Sequence, residues 1–217
     1  MKCLVLRLCG PMQSWGTRSR FRERDTEREP TKSGLVVLFA AALGMDRTDS
    51  LDDLVRFEMG VRVDKEGVVR REYQTALNVA TAGGKKSTEQ VYRTFLADAD
   101  FTVVVRGEQD FIGRIYNAVL HSRRPLYLGR KSYLPSEPIV AVDSVFPDND
   151  VDTALMNVPL RGEPNSGNYR LVLPGDGTSG ESRQDEPVSF SIGSRSYRTR
   201  FVRTVFRAAE DFPQEDG

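Results

Sequence analysis

The sequence predicts an α+β fold, and three observations lead there. The opening KCLVLRLC alternates as a half-buried strand does, with Leu4, Leu6 and Leu8 on one face and Arg7 on the other. The apolar stretches Ser33–Leu43 and Asp110–Leu120 read as helices, and β-branched runs such as FTVVVR (Phe101–Arg106) lie between them. A chain of 217 residues, 39% of them hydrophobic, forms one large domain or two small ones with room for a core. No run approaches the roughly 20 apolar residues that span a bilayer. Arg7 breaks the first apolar run and no small-residue cleavage site follows, so the opening reads as a strand rather than a signal peptide.

In chain order, the strand Cys3–Cys9 runs into the turn CGPMQSWG, which holds the single tryptophan, Trp15. A polar, Arg-rich loop follows over Thr17–Glu29. Pro30 and Thr31 then introduce the helix Ser33–Leu43, which Gly44 stops. Phe57–Asp64 alternates as a strand, with Val68–Tyr73 as its expected hairpin partner across Lys65–Gly67. Thr75–Lys86 is too small and polar to pack a core. Ser87 with Gln90 forms a capping-box pattern, predicting a helix to about Ala97. After the strand Phe101–Arg106, Asp110 opens a helix whose Phe111, Ile112, Ile115, Val119 and Leu120 make one apolar stripe, and Leu126–Leu128 reads as a short strand.

With Thr75–Ala97 set aside, the order is βαββαβ, the ferredoxin-like arrangement that RNA-recognition modules also use. Pro135 and Pro138 mark a boundary, dividing the chain into residues 1–138 and a small β-rich unit at 139–217 with an acidic tail. In the second unit Ile139–Val145, Tyr169–Leu173, Val188–Ile192 and Tyr197–Phe206 read as strands. The stretch PGDGTSGESRQDEP reads as a mobile link.

Lysine and arginine total 31, as do aspartate and glutamate, which argues against a protein that coats nucleic acid by bulk charge. The distribution is uneven. Phe111–Ser136 carries Arg114, Arg123, Arg124, Arg130 and Lys131 without an acid, and Ser191–Ala209 carries five arginines without one. Local basic patches on a neutral body suit a grip on one defined anionic segment. Cys3 and Cys9, six residues apart in a strand, sit about 20 Å apart, too far for a disulfide. With one histidine they offer no metal site, no cofactor motif is present, and a reducing, cytoplasmic setting is expected.

Four segments have the chemistry of an RNA site. The turn presents Gln13, Ser14 and Trp15, and the next loop adds Arg18, Arg20 and Arg22. In PTKSG, Thr31, Lys32 and Ser33 enter a helix whose N-terminal N–H groups can bind phosphate. In YLGRKS, Arg130, Lys131 and Ser132 follow a glycine that permits close backbone approach. Lys85 and Lys86 in AGGKKST can touch a phosphate. The segment is no P-loop, because Lys86 stands where Ser or Thr must follow Gly-Lys and Val79 replaces the first glycine. His121, with Tyr127 and Lys131 near it in sequence, offers the alternative of general acid–base cleavage of RNA, but no nearby carboxylate orients it.

The ordered trio GPMQSWG, PTKSG and YLGRKS resembles the CasD family, the RAMP-superfamily subunits of type I-E CRISPR Cascade complexes, over roughly residues 1–140. The resemblance implies a ferredoxin-like domain with a protruding thumb hairpin within about residues 70–97, then a small β domain. It implies a non-catalytic subunit that caps the 5′ handle of crRNA, contacts the backbone RAMP subunit and the large subunit, and meets target DNA only through the complex, with no membrane role. In a type I-C relative the corresponding subunit is a metal-independent endoribonuclease using a tyrosine, a lysine and a histidine, which keeps repeat-RNA processing as the alternative.

Overall fold

Strand β1 (Lys2–Gln13) sets the pattern of the sheet, its side chains alternating between two cores. Leu4, Leu6 and Leu8 enter the larger core, whereas Cys3 enters a second cluster on the opposite face, with Val5 packed against it. The computed structural model describes residues 1–17, 23–80, 84, 86–147, 149–161, 167–191 and 195–213. A two-residue strand, β2 (Glu23–Arg24), precedes helix α1 (Lys32–Leu43). Strands β3 (Glu58–Lys65), β4 (Val68–Ala80) and β5 (Lys86–Gly107) follow, then helix α2 (Gln109–Leu120). The rest comprises β6 (Val145–Phe146), α3 (Val151–Met156), β7 (Asn168–Pro174), β8 (Glu181–Ser189), β9 (Ser196–Ala208) and a 3₁₀ turn at Ala209–Asp211.

The strands form one sheet in the order β6-β1-β5-β3-β7-β9-β8, with β2 and β4 also paired to β5. All the pairings are antiparallel except β2 with β5. Helices α1 and α2 cover the larger core through Leu35, Phe39, Ile112 and Ile115, and α3 covers the other face through Val151 and Leu155. Gly60 on β3 lets α3 close in, since a Cβ there would lie 2.3 Å from Val151 Cγ1. Among the described residues no helix is long and apolar enough to cross a membrane.

Strand β5 does two jobs. Its second half pairs with β1 and β3 inside the core, and its first half pairs with β4 from Val68↔Ala97 to Ala80↔Lys86. At about 3.3 Å per residue its 22 residues have a contour of roughly 70 Å, so the outer half must leave the core. Asp98, at φ +55°, marks where the halves meet, and β4 is exposed along almost its whole length.

This arrangement corrects several expectations. Residues 87–97 are strand, not helix: Val91, Tyr92, Thr94 and Phe95 are β-formers, and pairing with β4 overrides the capping-box pattern. Val68–Tyr73 pairs with β5 rather than β3, whose other neighbour is β7. Leu126–Leu128 is irregular. Of Ile139–Val145 only the end is regular strand, although the amides of Arg7 and Val5 donate to the carbonyls of Ile139 and Ser144. The stretch expected to be a mobile link contains most of β8, and α3 was not anticipated.

A charged network lies inside the second face. Arg62, with no exposed surface, donates through Nε to Asp64 (2.7 Å) and through its terminal nitrogens to the carbonyls of Leu155, Val158 and Pro159, fixing the end of α3. Burial pushes the Asp64 carboxyl up to about 6, against the opposing pull of Arg62 and the Thr102 hydroxyl. Folded Asp64 therefore holds its proton more tightly than the unfolded chain does. Its contribution is full below about pH 4 and is lost as pH rises through about 6, a change of roughly 3 kcal/mol. Side-chain carboxyl NMR should place its midpoint near 6, and Asp64→Asn should remove that downward component of stability. A midpoint at 4 or below contradicts the assignment.

Candidate nucleic-acid interface

The turn after β1 is held from within. Gln13 is fully buried, its Nε2 donating to the carbonyls of Leu8 (2.9 Å) and Ala99 (2.8 Å) and its Oε1 accepting from Trp15 Nε1 (3.2 Å). Trp15 is 1% exposed and belongs to the larger core. Its ring lies on Gly34 of PTKSG, where a Cβ would come within 2.6 Å of Cε3. The first two sequence motifs thus meet at a glycine–tryptophan contact.

The third motif joins them through the backbone. The Ser14 amide donates to the Leu128 carbonyl (3.0 Å), and a Cβ on Gly129 would fall 1.7 Å from the Ser14 carbonyl oxygen. Gly129 also has φ +93°, so two constraints demand glycine there. The close approach that this glycine permits is to Ser14, not to a ligand. Arg130 then donates to the Tyr133 hydroxyl (2.7 Å) and to the Thr94 carbonyl (2.9 Å), bracing the loop against the β4–β5 hairpin. Burial raises the Tyr133 phenol above its usual value, and its hydroxyl donates onward to Glu72 (3.2 Å).

The start of α1 is occupied by the protein's own carboxylates. Thr31 caps the helix, accepting from the Gly34 amide (3.2 Å). The Lys32 amide donates to Asp185 Oδ2 (2.9 Å), and the Lys32 ammonium pairs with Glu186 (2.6 Å) above the Phe57 ring. Asp185 is buried at a bulge of β8 and is gripped by Arg200 through Nε (2.7 Å) and a terminal nitrogen (2.9 Å). A second buried carboxylate, Glu29, takes Arg170 (2.8 Å) and Arg183. Lys32, expected to meet a phosphate, is instead spent within the fold.

Beside these contacts lies a cleft of about 1070 Å³. Ser14, Trp15, Thr31 and Ser33 reach its wall from the first two motifs, and Arg130, Lys131 and Ser132 from the third. Lys131 and Ser132 are exposed. Gln13 and Lys32 do not line it, and Lys86 stands exposed on the hairpin. Arg18, Arg20, Arg22 and Lys85 fall outside the described residues.

Sequence reasoning missed Arg24, Arg47, Arg93, Arg124 and Arg195, which also line the cleft. Arg124 and Arg195 belong to the two acid-free basic runs, the signal that pointed toward them. Seven cationic side chains face two carboxylates, Asp25 and Asp46, and Asp46 is paired with Arg124 (2.7 Å). Tyr127 lines the cleft as well, whereas His121 sits exposed at the end of α2, away from its walls. No group of three or more metal-ligating side chains occurs among the described residues.

Fold and cleft together define an α+β protein with one large antiparallel sheet and few helices, carrying a cationic cleft where three sequence motifs converge. The chain belongs to the CRISPR-associated protein (Cas_Cas5) family, which matches residues 3–203. It is 37% identical over 155 residues to the CRISPR system Cascade subunit CasD of Escherichia coli (strain K12), across 63% of this chain and 68% of that protein. A structure described as a Cas protein superimposes with a TM-score of 0.79 at 38% identity, covering 99% of this chain and 100% of the other. A chain of a CRISPR RNA-guided surveillance complex gives 0.81 at 33% identity, covering 95% and 90%. The protein's role is therefore a CRISPR-related one.

Two substitutions test this construction. Gly129→Ala should destabilise the protein by about 3 kcal/mol in denaturant unfolding, because its Cβ collides with backbone that cannot rotate away. Asp185→Ala should cost about 3–5 kcal/mol, since it leaves Arg200 without its buried partner and the Lys32 amide without an acceptor. Wild-type stability in either variant contradicts the corresponding contact.

Proposed function

We propose that the protein is a non-catalytic RNA-binding subunit of a Cascade-type surveillance complex, capping the 5′ handle of crRNA in the cationic cleft. The carrying observation is the cleft itself: motifs far apart in sequence converge on one concave surface lined by seven cations and two carboxylates. Single-stranded RNA needs such a track for its phosphates. Among the described residues Arg24, Arg47, Lys131 and Arg195 make no ion pair, so their charge is available to a ligand. Ser14, Trp15, Thr31 and Ser33 shape the wall, and Gln13 and Lys32 act by holding the turn and the helix start.

The strand order β6-β1-β5-β3, with α1 and α2 on one face, supports reading residues 1–138 as a ferredoxin-like unit whose fourth strand comes from the following segment. The exposed β4–β5 hairpin is our candidate for the thumb, with Lys86 near its tip. Residues 139–217 then form the smaller β-rich unit. In this reading the hairpin and sheet edges meet the backbone and large subunits, target DNA is reached through the complex, and the protein works in the cytoplasm. No cofactor is required.

Equilibrium binding of handle RNA tests the reading. The double variant Arg24→Ala, Lys131→Ala should bind at least about tenfold more weakly at physiological salt, and the slope of log K against log salt should fall by about 1.4 if each residue meets one phosphate. Unchanged affinity and slope exclude the cleft as the RNA site. Repeat RNA incubated with the wild-type protein in EDTA should stay intact, whereas cleavage lost in His121→Ala establishes the endoribonuclease alternative.

A further inference from the structure

The cleft has a feature that phosphate binding does not explain. Beyond Thr31 and Ser33 at the helix start, its α1 side presents Gly34, Val37, Ala40 and Ala41, an apolar floor beneath a cationic rim. Phosphates gain nothing from an apolar surface and lose hydration against it. A ligand matching both parts has a flat apolar body and an anionic edge, as an unpaired nucleotide does.

The strand pair β8–β9 supplies what such a body would rest on. Phe190 follows β8 directly and Tyr197 opens β9, and both rings line the cleft. Their centroids are 6.5 Å apart with planes at 63°, an edge-to-face contact that covers at most one of the four ring faces. Phe190 packs on the larger core, which fixes the wall. The Ser191 hydroxyl donates to the Arg47 carbonyl (3.4 Å), tying the residue after Phe190 to the rim. Arg195, exposed, stands two residues from Tyr197 on the same cleft.

We propose that Phe190, Tyr197 and Arg195 form a nucleotide subsite in which an unpaired base of the bound RNA stacks on the Tyr197–Phe190 wall while Arg195 takes a neighbouring phosphate. The subsite rests on the RNA reading above and extends it to the C-terminal third of the chain. Arginine bearing on the phosphate and a ring bearing on the base give separable signatures. The first is salt-dependent and the second is not.

The test is a cycle between protein and RNA, using the full chain and handle RNAs that each carry one abasic position. Tyr197→Ala should weaken binding about tenfold at every salt concentration, with an unchanged salt slope, and Tyr197→Phe should stay within about twofold of wild type. At one position the abasic RNA should lose a similar factor with wild type and nothing further with Tyr197→Ala. Binding by Tyr197→Ala equal to wild type, or abasic losses that simply multiply at every position, overturns the subsite while leaving the cleft reading intact. So does a Tyr197→Ala protein that binds RNA normally but no longer joins its partner subunits, since the wall is then a protein contact. Absence of RNA binding by the wild-type chain overturns both.

Discussion

The Asp185 carboxylate is the point on which the cleft depends. It lies without exposed surface between the Arg200 guanidinium and the Lys32 amide, so it satisfies an otherwise unpaired donor at the start of α1 while neutralising a cation. Helix α1 forms the floor of the cleft and β8–β9 one of its walls, and this carboxylate joins them. Glu29, just before α1, is a second buried carboxylate, held between Arg170 and Arg183. Buried ion pairs of this kind contribute little net stability, because desolvation offsets attraction, but they are costly to break and admit only one geometry. Here that geometry sets the distance between floor and wall.

The three sequence motifs are best understood as one packing unit. Gln13 holds Trp15, Trp15 fills the space that Gly34 leaves open, and Gly129 leaves room for the Ser14 carbonyl. None of these groups needs a ligand to be satisfied. They supply rigidity, and the cations beside them supply charge. A rigid site has little conformational entropy to lose on binding, so more of its interaction energy appears as affinity.

What was legible in the sequence follows from how local each signal is. Strand β1, helix α1 with its Thr31 and Gly44 caps, and helix α2 are declared by alternation, capping residues and an apolar stripe. Over residues 87–97 Ser87 and Gln90 mimic a capping box, whereas the strand they belong to depends on its partner β4. The glycine-rich composition of 174–187 suggested mobility, but Asp185 and Glu186 belong to a contact made 153 and 154 residues away. The cleft was half visible for the same reason. Lys131 and Ser132 were readable from a motif, but Arg24, Arg93, Phe190 and Tyr197 join it only once distant strands are paired.

That separation bears on the order in which the molecule can be made. The ribosome delivers β1 first, yet its ladder partner on β5 ends at Gly107, and the clasp for α1 arrives only with Asp185 and Arg200. Contacts so remote in sequence form slowly, because the intervening loop must be closed before they contribute. During synthesis the α1 N-terminus therefore stands open, its Lys32 without Glu186, until β8 has emerged. The cleft is among the last features to take shape, because its β8–β9 wall and the carboxylates that close the helix start both come late in the chain.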